Sequence, residues 1–366
     1  TRSARERVSP GMAGEARAIP APNQTPRGAP SDGRKDDPMD IDYLKSLGHC
    51  LTDGHFPWLP NFQRGKVRDS YDLPDGRRVM VATDRQSAFD QVLAAVPFKG
   101  QVLTQTARFW FDATADVCPN HVLAYPDPNV TVGRRLDMVP IEVVVRDYLT
   151  GSTATSIWTL YAKGERVLYG HKLPDGMTKN QRLAATLITP TTKGEGAAHD
   201  VPVTAAEIVQ RGLVPPARWR EIERAAIALF RRGRDLARAR GLILVDTKYE
   251  FGIDREDRLR LADEIHTPDS SRYWIADSYP GRVAAGREPD SLDKEFLRLW
   301  IAARCDPYKQ PIPEIPPETL AEFSAKYVRL YEQVTGQEFV PSEPEIPLRA
   351  RIERNLKRAF PEFAPK

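Results

Sequence analysis

The run LILVDTKYEFG, Leu242 to Gly252, carries charges where a core strand should be apolar. Residues two apart in an extended strand share a face. Asp246, Lys248 and Glu250 therefore point one way, and Val245, Tyr249 and Phe251 the other. A polar turn, Gly252 to Asp257, leads into a second alternating run in which Leu259, Leu261, Asp263 and Ile265 share a face. A hairpin centred near Glu256–Asp257 sets Glu250 across from Asp263. Two facing carboxylates beside a lysine repel each other less with a cation between them, and Mg²⁺ typically uses one or two carboxylates plus substrate phosphates. A ladder of surface salt bridges has the same pattern, but the apolar run before Asp246 favours a core strand and hence the metal pair.

Other charged clusters fit around this one. In Gly65-Lys66-Val67-Arg68-Asp69, read as a strand, Lys66 and Arg68 share a face on which two cations can meet nucleotide phosphates. The segment lacks the Walker pattern, and a basic edge strand is the plainer alternative. Asp84, Arg85 and Ser87 lie in a polar loop straight after an apolar strand, placed to recognise an amino acid or a hydroxylated ligand, with ordinary turn chemistry equally open. Arg146 followed by Thr150-Gly151-Ser152-Thr153 suits a phosphate monoester, as does Arg272 among the hydroxyls of residues 267–274. Lys193 and His199-Asp200 flank Gly194–Ala198, the composition of a mobile active-site segment. His121, His171, His199 and His266 have no ligand spacing to one another and read as structural. Together these clusters point to an ATP-dependent enzyme with an anionic substrate.

The elements that must position them read as mixed α/β over residues 56–340. Tyr71–Leu73 and Arg78–Ala82 form strands joined through Pro74-Asp75-Gly76, a hairpin signal. Val139–Tyr148 is a further strand. Trp219, Ile222, Ala226, Leu229 and Phe230 mark a helix from Pro216 or Ala217 to Arg240, stopped by Gly241. Another helix starts near Ser291, and a last one carries Phe323, Tyr327, Leu330 and Val334 before Gly336. In the proline- and arginine-rich stretch 341–366, Ile346, Leu348, Ile352, Leu356 and Phe360 gather near one side of a short helix, whose basic face is read as solvated.

A chain of 366 residues holds about two domains at roughly 150 residues each. Lys and Arg number 53 against 50 Asp and Glu, too balanced for a general nucleic-acid binder, so any anion site is local. No run approaches the ~18 apolar residues that span a bilayer. Cys50, Cys118 and Cys305 form no CxxC pair, which argues against zinc and a disulfide framework and for a reducing compartment. The sequons at Asn23 and Asn129 lack a secretory signal and read as chance matches. Residues 1–40, with six prolines and four glycines, read as a disordered extension. A chain beginning at Thr1 reads as a fragment or processed form. Its first thirty residues are basic and poor in acids like an organelle transit peptide, although poor in serine.

In this order, GKVRD, TDRQSAFD, PFKGQVLTQT, VVVRDYLTGS, TPTTK, HD, GLILVDTKYEFG, DEIHTPDSSRYW, IADSY and DKEFLRLW resemble the SAICAR synthetase family over residues 60–340, most closely its longer, plant-like branch. The resemblance implies an α+β, two-lobed fold with antiparallel sheets flanked by helices and an ATP-grasp-like or kinase-like nucleotide cleft. Its divisions would be a disordered extension (1–40), a β-rich lobe with the ATP-phosphate strand (41–135), an α/β lobe with the metal and substrate sites (136–340) and a basic tail (341–366). The implied reaction is a ligation in purine biosynthesis. ATP phosphorylates the carboxylate of carboxyaminoimidazole ribonucleotide (CAIR), and the amine of L-aspartate displaces the phosphate. The implied cofactors are ATP and Mg²⁺, the partners small molecules with no nucleic acid or membrane, and the compartment the cytoplasm, or a plastid if the extension is a transit peptide.

By the same resemblance Glu250 and Asp263 hold Mg²⁺, while Gly65, Lys66, Arg68 and Lys248 face the ATP phosphates. Arg146, Ser152 and Arg272 take the ribotide phosphate. Asp84, Arg85, Ser87, Lys193 and Asp200 line the pocket for the imidazole carboxylate and the aspartate, with Lys248, Lys193 and Asp200 as the catalytic group. Three departures stand out: Asp147 where the family has glycine, Thr104 where it has asparagine, and a longer Gly194–Ala198 link. Asp147 would set a carboxylate beside the phosphate arginine. A ligase for a different heterocyclic carboxylate, and a small-molecule kinase or nucleotide-binding regulator, are the alternative readings.

Overall fold

Apolar alternation builds two large antiparallel sheets, beside two two-stranded ribbons, and helices pack with them. The structure is a computed structural model that describes residues 41–89, 91–153, 155–193 and 201–365. The expected disordered extension, the Gly194–Ala198 link and His199-Asp200 lie outside the described residues.

After α1 (Tyr43–Ser46) come β1 (Phe62–Arg64), β2 (Arg68–Asp72), β3 (Arg77–Ala82), the ribbon β4 (Arg85–Ala88) and β5 (Gln91–Ala95), α2 (Lys99–Ala113), β6 (Val122–Asp127) and β7 (Val130–Arg134). Five of these strands form a sheet in the order β1-β2-β3-β7-β6. The expected β2–β3 hairpin is present: Gly76 takes φ +88°, which glycine adopts without strain, and the Asp75 carboxylate accepts the Arg77 amide at 2.9 Å.

The second part of the chain runs β8 (Asp137–Leu149), α3 (Ile157–Ala162), β9 (Val167–Leu168), β10 (His171–Lys172), β11 (Gln181–Ile188), β12 (Thr191–Thr192), β13 (Val201–Pro202), α4 (Ala205–Gln210) and α5 (Pro216–Ala239). It continues with β14 (Leu242–Ile253), β15 (Leu259–Ala262), β16 (Ser271–Ile275), α6 (Tyr279–Ala284), α7 (Glu295–Ala302), α8 (Pro317–Thr335) and α9 (Leu348–Ala359). Here the sheet order is β13-β12-β8-β14-β15, with β11 also on β8 and β16 also on β14. The long pair β8–β14 is its spine, running from Asp246 opposite Arg146 through Glu250 opposite Glu142 to Ile253 opposite Asp137.

Helix α5 starts with Pro216 at its first position and stops at Gly241, φ +71°. Its stripe of Trp219, Ile222, Ala226, Leu229 and Phe230 packs with Val143, Val145, Tyr249 and Phe251 in the main core. Gly233 is needed for that approach, because a Cβ there would stand 2.2 Å from the His266 ring. His266 is a core residue, its Nε2 2.5 Å from the Tyr249 hydroxyl, and burial lowers its pKa to about 3.

Four local readings are corrected. The β14–β15 hairpin pairs Glu250 with Ala262, not Asp263. Asp254 accepts the amides of Glu256 and Arg258, and the turn closes with Asp257 at φ +57°, one residue shorter than a symmetric turn at Glu256–Asp257. A bulge between Leu244 and Asp246 reverses the alternation of β14. Val245 therefore packs with Tyr148 and Trp274, while Leu242, Leu244, Tyr249 and Phe251 share the main core. Lys66 stands in a bend before β2, so it does not share a strand face with Arg68. The helix expected near Ser291 begins at Glu295, because the buried Asp293 carboxylate takes the Glu295 and Tyr273 amides.

The C-terminal stretch is part of the fold. Ile352, Leu356 and Phe360 sink into the core of the first sheet. On the face read as solvated, Arg351 is 3% exposed and pairs with Asp127 at 3.0 Å and with Asn129 at 2.6 Å.

Candidate active site

One cavity of about 810 Å³ gathers Lys66, Ser87, Arg146, Lys193, Lys248 and Arg272. They come from the bend before β2, the β4–β5 ribbon, β8, the end of β12, β14 and β16, and antiparallel register brings the last four of these together.

At one group of its walls, register sets Arg146 and Arg272 on either side of Asp246. Both guanidiniums reach the same Asp246 oxygen, at 3.3 and 2.5 Å. Arg146 also donates to the Thr189 hydroxyl at 2.9 Å, and Arg272 to Glu295 at 3.3 Å. Among the described residues the Nη2 group of neither arginine makes a hydrogen bond, so two charged forks keep N–H groups for an anion. Gly151, φ +115°, lets the chain turn beside them: a Cβ there would meet the Ser156 side chain at 2.5 Å and Arg272 at 3.3 Å. Ser152 follows in this turn, half-buried and absent from the cavity wall.

At the other group, Lys248 donates to Glu142 at 2.6 Å and to Glu250 at 2.8 Å, and Lys193 pairs with the second Glu250 oxygen. Burial pushes the Glu250 carboxyl up, but Lys248 and Lys193 outweigh it and hold the pKa at about 2. Burial likewise opposes the Lys248 ammonium, and Glu250 and Glu142 overcome it, so this lysine stays charged. The Arg68 Nη1 donates to both Asp263 oxygens, at 2.8 and 3.0 Å, and its Nη2 pairs with Glu264. That joins β2 of the first sheet to the segment after β15. Glu142 and Glu264 escaped the sequence reading because neither lies in a run with the lysine or arginine it serves.

Asp84 and Arg85 are absent from the cavity wall. Arg85, 6% exposed, spends all five N–H groups on the chain: two on Asp69 at 2.6 and 3.0 Å and three on the carbonyls of Thr52, Gly65 and Lys66. It clamps the Gly65–Lys66 bend and so positions the lysine. Asp84, 1% exposed, accepts the amides of Leu51 and Gly100 at 2.7 and 2.9 Å, and burial raises its pKa to about 6. A buried Lys99–Asp269–Tyr327 group similarly ties α2 and α8 to the segment that carries Ser270 and leads into β16. Asp147 turns away from Arg146 and the cavity: its carboxylate accepts the Thr186 hydroxyl at 2.5 Å and faces Arg234 of α5 at 3.4 Å. Thr104 is buried within α2.

The carboxylate oxygens of Glu250 and Asp263 are hard donors of the kind Mg²⁺ takes. Both carry enough negative charge to the Lys248 ammonium to raise its pKa. Each is also held by a cation, and among the described residues no group of three or more His, Cys, Asp or Glu side chains could hold a metal. The residues thus fit a metal that arrives with phosphate ligands of its own, and not one caged by protein alone. No helix among the described residues is long and apolar enough to cross a membrane.

The SAICAR synthetase family model matches residues 61–315. A protein of Agrobacterium fabrum is 56% identical over 312 residues, covering 85% of this chain and 98% of that one. The chloroplastic phosphoribosylaminoimidazole-succinocarboxamide synthase of Arabidopsis thaliana is 47% identical over 320 residues, covering 86% of this chain and 77% of that one. The SAICAR synthase of Saccharomyces cerevisiae, solved in complex with SAICAR, superposes with a TM-score of 0.68 at 31% identity, over 80% of this chain and all of that one. The family match spans the residues that line the cavity, and the chain belongs to the SAICAR synthetase family.

Proposed function

We propose that the protein is an ATP-dependent ligase of purine biosynthesis that joins L-aspartate to CAIR. What carries this reading is one cavity lined by both an arginine pair with unspent N–H groups and two lysines, Lys193 and Lys248, that Glu250 and Glu142 hold. The arginines suit a ribotide phosphate, and the lysines suit a polyphosphate and the carboxylate that attacks it.

An oxygen of the CAIR carboxylate attacks the γ-phosphorus of ATP, the bond to the ADP oxygen breaks, and an acyl phosphate forms. The aspartate amine then attacks the acyl carbon and loses a proton, and the carbon–oxygen bond to phosphate breaks. Both steps demand positioning and charge neutralisation. Arg146 and Arg272 hold the ribotide phosphate, with the Ser152 turn beside them. Lys66, clamped through Gly65 by Arg85, and Lys248 face the ATP phosphates, and Lys193 faces the carboxylate that is phosphorylated. Arg68 acts through Asp263 and Glu264, and Asp84 by fixing the chain at Leu51 and Gly100. Mg²⁺, entering with the phosphates, would meet Glu250 and Asp263 and neutralise charge on the transferred group. Asp200, in the catalytic group, rests on sequence alone. A cytoplasmic or plastid setting fits three unpaired cysteines and the kinship with a chloroplastic enzyme.

The test is ADP release from MgATP and CAIR, with and without L-aspartate, alongside the succinocarboxamide product. Aspartate-dependent ADP with matching product is the expected outcome. ADP without aspartate, as from a kinase, or no ADP from folded protein, overturns it.

A further inference from the structure

The cavity holds two cations that the reading above leaves without a task. Lys294 caps the start of α7, Arg298 lies one helical turn further on, and both side chains line the cavity. Among the described residues the Lys294 ammonium makes no ion pair and no hydrogen bond. The carboxylates that act on its charge are committed elsewhere. Asp269 is held by Lys99 at 2.8 Å and Tyr327 at 2.6 Å, and Glu264 by Arg68 and by the Thr267 hydroxyl at 2.5 Å. Burial and the positive charges of Arg298 and Lys248 bring the Lys294 pKa down to about 8, although Asp269 and Glu264 pull the other way. Arg298 spends one Nη1 contact on Glu295 at 3.3 Å, and its Nε is buried with no partner among the described residues. A buried donor without an acceptor is costly in the free protein, and that cost disappears when an anion arrives.

The substrates determine which anion this is. The phosphates already have Arg146, Arg272, Lys66 and Lys248. L-Aspartate brings two carboxylates that must be neutralised while its amine stays free to attack. Of the residues read from sequence as its pocket, Asp84 and Arg85 are spent inside the chain and Lys193 is paired with Glu250. Resting on the ligase reading, we infer that Lys294 and Arg298 hold the carboxylates of the amino-acid substrate and set its preference for a dicarboxylate.

The test compares Lys294→Met, Lys294→Arg and Arg298→Gln with the wild type in full steady-state kinetics. Lys294→Met is expected to raise KM for L-aspartate roughly 10- to 100-fold, the range for losing a charged hydrogen bond. KM for CAIR and for ATP should stay within about twofold, and Lys294→Arg should recover much of the loss. The ratio of kcat/KM for L-aspartate over L-asparagine should fall in both charge-removing variants, which a merely structural role would not produce. An unchanged KM for L-aspartate, or an equal rise for ATP or CAIR, overturns the inference while leaving the ligase reading intact. A wild type that releases no ADP with aspartate overturns both. Should the variants fail to fold, amine labelling of Lys294 in the wild type decides the matter. Protection by L-aspartate and not by L-asparagine supports the assignment, and equal labelling with and without L-aspartate overturns it.

Discussion

Arg85 and the Lys248–Glu250 network look alike in the sequence: each is a run of charges next to an apolar strand. In the folded chain they are opposites. Arg85 is saturated, with five N–H groups on five chain acceptors and 6% of its surface exposed. Lys248 and Lys193 are about a third exposed at the side chain and share carboxylates at the wall of a cavity. Charges whose hydrogen-bonding capacity the chain consumes hold backbone in place. Charges left short of partners, or sharing them at a surface, are available to a ligand.

Substitution can break this contrast. The largest effect is expected at Glu250→Gln, which leaves Lys193 and Lys248 without their shared carboxylate and removes a metal oxygen. Here kcat/KM should fall by about 10³-fold or more, as when a charge-stabilising group is lost at a reacting centre, a loss far larger than any drop in stability accounts for. Wild-type turnover would remove Glu250 from the site. Arg85→Met should do the reverse. It strands the Asp69 carboxylate and three carbonyls, costing about 3–5 kcal/mol of stability, the usual range for breaking a buried pair, as read by denaturant unfolding. A variant as stable as the parent but defective in substrate affinity would return Arg85 to the ligand pocket. Arg146→Ala should raise KM for CAIR roughly 10- to 100-fold, for a charged hydrogen bond lost, and KM for ATP far less. An equal rise in both would show that the arginine pair does not separate ribotide from nucleotide.

The smallest effect is in the pH dependence of stability, and its sign differs between the regions. Glu250 is held at about 2, below its ordinary 4.5, so its contribution is present above pH 4.5 and is lost as pH falls toward 2. Asp84 is raised from 3.8 to about 6, so the folded state binds the extra proton between those values and the Asp84 contribution declines as pH rises through them. In urea unfolding from pH 3 to 7, Glu250→Gln should flatten the acid-side loss and Asp84→Asn should steepen it. Shifts of the same sign would mean the two carboxylates are held alike.

Much of the scaffold could be read from residue order. The 3.6-residue stripe of α5, its proline start and its glycine stop, the β2–β3 turn and the core placement of β14 are local signals, and all of them appear in the fold. The site was read in part. The resemblance directed attention to Lys66, Ser87, Arg146, Lys193, Lys248 and Arg272, which do meet in one cavity. It could not separate them from Arg85, because a guanidinium's partners here come from residues 52 to 69. Nor did it single out Lys294 and Arg298 within their motif, since what distinguishes them among the described residues is an ammonium without a partner and an Arg298 Nε left unpaired.

The residue order by itself determined which segments become strands and helices and the family to which they belong, because propensity, turn chemistry and apolar period act over a few neighbours. Only the tertiary structure decided the one-residue register of the β14–β15 turn, the bulge that sends Val245 to the other face, and the burial of Arg351 against Asp127. It also decided which charges are spent on the chain and which remain for substrates. Those outcomes depend on side chains from distant segments competing for the same hydrogen bonds, and that competition begins only when the sheets have packed.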